Sequence, residues 1–179
     1  MDLMQAVKNR RSVRKLRSEP VSNDLLDTVL EAGRWAPSWA NTQCWKFVVV
    51  QDPLMRGKVA ETISPGNPGT DALKNAPVII AICGELERAG YKKGVAMTDK
   101  GDWYMFDTAL AAQNMMLAAY SLGLGTVAIG SFDASKVADL LELPSNARVV
   151  LLLPLGYPAE EPTAPRRKEL TEIVSYDRY

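Results

Sequence analysis

A chain of 179 residues, 47% apolar and 23% charged, has enough material to bury one core, and 21 basic against 21 acidic side chains leave no net charge to grip a nucleic acid. Histidine is absent, which excludes Ser-His-Asp and Cys-His nucleophilic schemes, histidine acid–base catalysis and the usual zinc sites. A catalyst of this composition borrows its chemistry from a cofactor.

The expectation is a single domain over residues 1–179 with no metal, nucleic-acid or membrane partner. The richest apolar run, Val149 to Leu155, is too short to span a bilayer and contains Pro154. The start Met-Asp-Leu-Met lacks a basic-then-apolar segment, so a cytoplasmic location is expected.

The first helix is expected to start at Asp2 as N-cap, with Gln5 as its reciprocal partner. It runs into the densest charge of the chain. Residues 1–18 carry Lys8, Arg10, Arg11, Arg14, Lys15 and Arg17 against Asp2, a net of +5; Arg166, Arg167 and Lys168 add +3, so the remainder holds −8. Guanidinium forks match phosphate oxygens and a serine hydroxyl donates to a third, so Arg10-Arg11-Ser12-Val13-Arg14 suits one compact anion. The alternative is a set of solvated cations complementing the helix end.

A second helix follows Pro20, capped by Ser22 with Val21 stapled to Leu26, and stops at Ala36-Pro37. The loop Pro37 to Cys44 leads into a strand over 45–50. Ser38 and Asn41 there suit either a capped turn or a rim against a flat ligand. Asp52-Pro53 opens a third helix, Pro65 to Gly69 is a loop, and 78–83 reads as a buried strand ending in a packed thiol, Cys83. Residues 85–102 suit a mobile lid or a variable surface loop.

The longest helix spans 103–122 and is apolar on several faces, which suggests a subunit interface. Gly123-Leu124-Gly125 formally fits a dinucleotide glycine pattern, but it follows a helix and opens a strand, so Gly123 is a helix C-cap instead. A strand at 126–129, a short helix capped by Asp133, a strand at 148–154 and a Pro-rich tail complete the chain.

Arg10-Arg11-Ser12-Val13-Arg14, Ala36-Pro37-Ser38 with Asn41 and Gln43, and Trp45-Lys46-Phe47-Val48-Val49-Val50 resemble the signature of the nitroreductase superfamily. Gln113-Asn114, Gly123-Leu124-Gly125-Thr126, Ile129-Gly130-Ser131-Phe132-Asp133, Leu155-Gly156-Tyr157-Pro158 and Arg166-Arg167-Lys168 extend the likeness over about residues 2–175. The resemblance implies an α+β fold, a central mostly antiparallel sheet flanked by helices, and an obligate-type homodimer with FMN at the subunit interface. It implies that Arg10, Arg11, Ser12 and Arg167 hold the phosphate and ribityl end, with help from Arg166 or Lys168. Arg14 would approach the pyrimidine edge of the flavin and stabilise charge at N1. Pro37 and Ser38 would come from the partner subunit, and Ile129, Gly130 and Ser131 would pass N5, with the Gly130 N–H orienting that edge.

The implied activity transfers hydride from NADH or NADPH through flavin N5 to a small electron-poor acceptor such as a nitroaromatic or quinone, in two half-reactions. A reductive dehalogenase, a flavin-fragmenting enzyme and a non-catalytic flavin-binding module are the alternatives. Cys44 stands where many members have proline, which allows a looser loop and leaves open whether its thiol is reactive. Tyr91, Lys92, Lys93 and Trp103 are either substrate contacts or surface.

Overall fold

Asp2 caps the first helix, α1 (Leu3–Asn9): its Oδ1 accepts from the N–H groups of Met4 at 2.9 Å and Gln5 at 3.2 Å, so Gln5 joins the cap through its backbone. The computed structural model describes residues 2–179. Ser22 caps α2 (Asn23–Arg34), and Val21 and Leu26 are buried in the same cluster. Asp52 caps α3 (Pro53–Ala60) by accepting from Met55 N–H at 2.8 Å. A further short helix, α4 (Thr70–Asn75), follows the Pro/Gly loop; it starts from Gly69 without a side-chain cap, so no local signal announced it.

The strands are β1 (Trp45–Val50), β2 (Val78–Glu85), β3 (Tyr91–Lys92), β4 (Val95–Ala96), β5 (Gly125–Thr126) and β6 (Ala147–Gly156). The main sheet has the order β1-β2-β6-β5 with every pairing antiparallel. Its centre is β2, which reads as an uninterrupted apolar run because both faces are covered. Ile79, Ala81 and Cys83 face a cluster containing Val59 of α3, Leu73 of α4 and Val137 of the short helix α6 (Ala134–Leu140). Val78, Ile80 and Ile82 face Val29 of α2 and Met115 of the long helix α5 (Tyr104–Ser121). The period of two across one strand thus sorts the core into two halves.

The expected strand at 126–129 is interrupted, for a reason that lies on the neighbouring strand. Ile129 and Leu152 exchange both backbone hydrogen bonds at 2.9 Å, and Thr126 pairs with Leu155 in the same register. The next pair along that would exchange both bonds is Val127 with Pro154, and proline has no N–H to give. The chain therefore leaves the ladder between Thr126 and Ile129.

Gly123 ends α5 as expected, with φ +77°. Leu124 N–H donates to Ala119 O at 2.8 Å and Gly123 N–H to Tyr120 O at 3.1 Å, a Schellman closure that turns the helix directly into β5. On the outer side, Leu3, Met4 and Val7 of α1 and Met105 and Phe106 of α5 are exposed apolar side chains. No helix among the described residues is long and apolar enough to cross a membrane.

Two glycines separate close approach from mere permissiveness. A Cβ on Gly156 would lie 2.8 Å from Pro77 Cδ and 3.3 Å from Arg17 O, both rigid, whereas nothing lies within 4 Å of one on Gly57 inside α3. Gly156→Ala is expected to destabilise by about 1–3 kcal/mol and Gly57→Ala to stabilise by about 0.4–1 kcal/mol, read as opposite shifts of the urea midpoint at constant slope.

Candidate functional site

The basic segment after α1 is pinned in an extended path between two parts of the sheet. Ser12 bridges Thr126 in parallel, Val13 N–H donates to Thr126 O at 2.9 Å, and Arg17 N–H donates to Tyr157 O at 2.8 Å. Leu16 bridges Pro158, and Ala159 N–H returns a bond to Lys15 O at 2.9 Å. The chain leaving β6 is thereby laid alongside the N-terminal segment, and the tail begins beside Arg14.

One consequence is a cleft of about 200 Å³ with Arg10, Arg11, Ser12 and Arg14 on one side and residues 162–167, including Arg167, on the other. Charges from the two ends of the chain meet there. Burial, then Arg11, then Arg167 hold the Arg10 guanidinium below its ordinary pKa, the sign of cations crowded without compensation. None of Arg10, Arg11, Arg14 or Arg167 forms an ion pair among the described residues. Arg11 also closes the end of α1, donating to Lys8 O at 2.6 Å and Arg10 O at 2.9 Å, so the helix-end role holds for that residue. Arg166 and Lys168 flank a separate hollow with Glu172.

The other candidate residues occupy two further places. Ile129 is buried in the core, while Gly130 and Ser131 are exposed. The Gly130 N–H donates to no group among the described residues. Ser131 is fixed by Ser64: its carbonyl accepts from Ser64 N–H at 3.2 Å and its hydroxyl donates to Ser64 Oγ at 3.0 Å. Pro37 is exposed and Ser38 half-buried, at the start of a turn with left-handed Ala40, Asn41 and Gln43. Ser38 Oγ accepts from Gln43 N–H at 3.0 Å, the capped-turn role.

Sequence inspection passed over the residue that anchors this turn. Asp107 on α5 is 1% exposed, and both its oxygens accept from Trp39 N–H at 3.1 Å. Burial raises its carboxyl above the ordinary carboxylate range. The available signal was an acid set into a helix that is otherwise apolar on several sides. Trp39 packs against Trp103 at a tilt of 43° with ring centroids 5.1 Å apart, and Trp103 meets Phe106 edge-on at 5.4 Å.

Residues 85–102 are an ordered surface element. β3 and β4 close over Lys93 and Gly94, both with positive φ. Glu87 N–H donates to Asp102 Oδ2 at 2.7 Å and Trp103 Nε1 to Thr98 Oγ1 at 3.1 Å. Lys92 and Lys93 are exposed and Tyr91 is half-buried.

Residues 7–157 match the model of a family described as the nitroreductase family. FMN reductase [NAD(P)H] of Bacillus subtilis is 32% identical over 89% of this chain and 67% of its own length. Iodotyrosine deiodinase 1 of Rattus norvegicus is 29% identical over 97% of this chain and 68% of its own. The crystal structure of a nitroreductase family protein from Clostridium difficile 630 superposes with a TM-score of 0.85 at 27% identity, covering 100% of both chains.

The structure does not leave the Cys44 thiol accessible. Its side chain is fully buried, its Sγ lies 3.6 Å from Asp107 Oδ2, and burial followed by the Asp107 charge pushes the thiol up to about 12. Cys83 is buried and pushed up to about 11. A thiol reagent at pH 8 is expected to find both cysteines silent in the native protein and to titrate both in denaturant. A rapidly reacting native thiol would contradict this placement.

Proposed function

The chain belongs to the nitroreductase family, and from that membership we propose that it is an FMN-dependent oxidoreductase, drawing on NADH or NADPH and acting as a homodimer on a small electron-poor acceptor such as a nitroaromatic or quinone. The observation that carries this reading is the crowding of Arg10, Arg11 and Arg167 around one cleft, none of them in an ion pair among the described residues. A phosphate dianion supplies the missing charge, and guanidinium–phosphate bonds are the strong, charge-assisted kind. The donor set therefore fits the phosphate of FMN, and the B. subtilis relative is named as an FMN reductase using NAD(P)H.

FMN, when bound, supplies the redox chemistry: it accepts a hydride from the nicotinamide and passes reducing equivalents to the acceptor. The protein holds and biases it. Arg10, Arg11, Ser12 and Arg167 hold the phosphate and ribityl end. Arg14, on the same wall of the cleft, is assigned the pyrimidine edge, where a fixed cation favours the more negative, reduced ring. Gly130 offers a backbone N–H that no other described group uses, which suits the N5 edge without a titratable side chain. Ile129 and Ser131 hold that segment in place, one in the core and the other on Ser64.

Pro37 and Ser38 are assigned to the partner's ring, with Asp107 and the Trp39–Trp103 pair holding their turn. The exposed apolar residues of α1 and α5, together with Leu170, Ile173, Val174 and Tyr176 of the tail, favour burial against a second copy. The whole chain is read as one cofactor-binding unit, working in the cytoplasm where reduced nicotinamide is supplied. A second reading, reductive dehalogenation, rests on the likeness to iodotyrosine deiodinase; turnover of a halogenated phenol but not of a nitroaromatic would select it.

The purified protein is expected to be yellow and to bleach anaerobically with NADH or NADPH. A colourless protein that refuses added FMN overturns the reading, and flavin reduced by dithionite but not by either nicotinamide leaves a non-catalytic flavin binder. Arg10→Ala and Arg167→Ala are each expected to cost about 1.5–3 kcal/mol of FMN binding, roughly tenfold or more in Kd. Arg14→Ala is expected to lower the midpoint potential of the bound flavin in a spectroelectrochemical titration, and an unchanged potential removes Arg14 from the pyrimidine edge.

A further inference from the structure

An acid stands beside this cationic cleft, in an adjoining hollow that shares Arg11 with it, and its carboxylate is aimed at the backbone. Glu160 Oε1 accepts from the N–H groups of Arg14 at 2.6 Å and Lys15 at 3.1 Å, across 146 and 145 residues of chain. Glu160 and then Glu161 precede the tail residues that line the cleft, which begin at Pro162, and both share a second hollow with Arg11. Its neighbour Ala159 donates to Lys15 O at 2.9 Å, so three hydrogen bonds join residues 159–160 to residues 14–15.

We infer that Glu160 is the positioning residue of the phosphate site: its carboxylate clasps the main chain at Arg14 and Lys15 and so sets the N-terminal arginines opposite Arg167. The inference rests on the FMN reading above and adds to it the group that assembles the site. A carboxylate accepting two consecutive N–H groups makes charge-assisted bonds that fix both the direction of Arg14 and the take-off of the tail. The alternative is purely Coulombic. A negative charge beside a dianion repels it, so Glu160 would weaken FMN binding and its removal would tighten it. Positioning demands the opposite sign.

The test compares full-length wild type, Glu160→Ala and Glu160→Gln by titrating apo-protein with FMN and with riboflavin, which lacks the phosphate. Glutamine keeps an oxygen able to accept both N–H groups but loses the charge. Glu160→Ala is expected to raise the FMN Kd about tenfold or more, to weaken riboflavin, which keeps the ring edge assigned to Arg14 but lacks the phosphate, by a smaller factor, and so to reduce the preference for FMN. Glu160→Gln is expected to retain that preference. An unchanged FMN-to-riboflavin ratio in Glu160→Ala, or tighter FMN binding by both variants, overturns the clasp. A wild type that does not distinguish the two flavins overturns the phosphate reading itself and the clasp with it.

Amide exchange on the wild-type apo-protein gives an answer even if Glu160→Ala fails to fold. The Arg14 and Lys15 amides are expected to be as protected as those of Val13 and Arg17, which donate to Thr126 and Tyr157. Free exchange at both positions overturns the proposal.

Discussion

Like charges drawn from opposite ends of the chain are held together by backbone hydrogen bonds, and that opposition organises the rest of the molecule. Arg10 and Arg11 follow α1, and Arg167 lies more than 150 residues later, yet they share one cleft, where burial and then the charges of Arg11 and Arg167 depress the Arg10 pKa. Their mutual repulsion favours separation, and screening by water is weakened where Arg10 is partly buried. What resists it is the bridges of Ser12 to Thr126 and Leu16 to Pro158, with the bonds beside them, including those that Glu160 accepts from Arg14 and Lys15. In the reading proposed above, an anion in the cleft relieves this repulsion, and a ligand that does so stabilises the folded state according to its affinity.

The sheet sets the other half of the geometry through one residue. Pro154 pairs with Ile79 on its inner side, but it has no N–H for Val127 on its outer side. The outer ladder therefore breaks after Thr126, and the backbone past Ile129 emerges at the surface with a free Gly130 N–H. A residue that fitted that ladder would hold more of this segment in the sheet. The same interruption that shortens β5 thus presents an unpaired donor next to a serine locked on Ser64.

Local rules were readable wherever their causes were local. The caps at Asp2, Ser22, Asp52 and Asp133 start helices at the expected places, and Gly123 stops α5. The two-sided burial of β2 was evident from an apolar run without alternation. The failures have non-local causes. The break at Val127 depends on Pro154 in another strand, and α4 has no side-chain cap to announce it. The reactivity of Cys44 stayed open because its burial under Asp107 and α5 is a tertiary fact. Charge clustering did single out both arms of the cleft, since opposite ends carry the excess, but it could not identify Glu160, whose partners lie at the far end of the chain.

A neutral chain can still maintain a strongly positive cleft if its acids are committed elsewhere, and here many of them are committed to the main chain. Asp2, Asp52 and Asp133 accept from helix N-termini. Asp102 accepts from Glu87 and Tyr104, Asp107 from Trp39, and Glu160 from Arg14 and Lys15. Each such carboxylate has its lone pairs directed at fixed N–H dipoles, so it is held in place and its position is set by the backbone. The ion pairs that do form, such as Arg34 with Glu31 and Arg88 with Glu85, lie on the surface and involve none of the cleft arginines. An acid recruited into the cleft as a salt-bridge partner would relieve the crowding permanently and compete with an incoming phosphate. With these acids committed to turns and caps, the cleft arginines keep their charge in excess, and Glu160 joins the two: an acid beside the cleft whose carboxylate is directed at the backbone that shapes it.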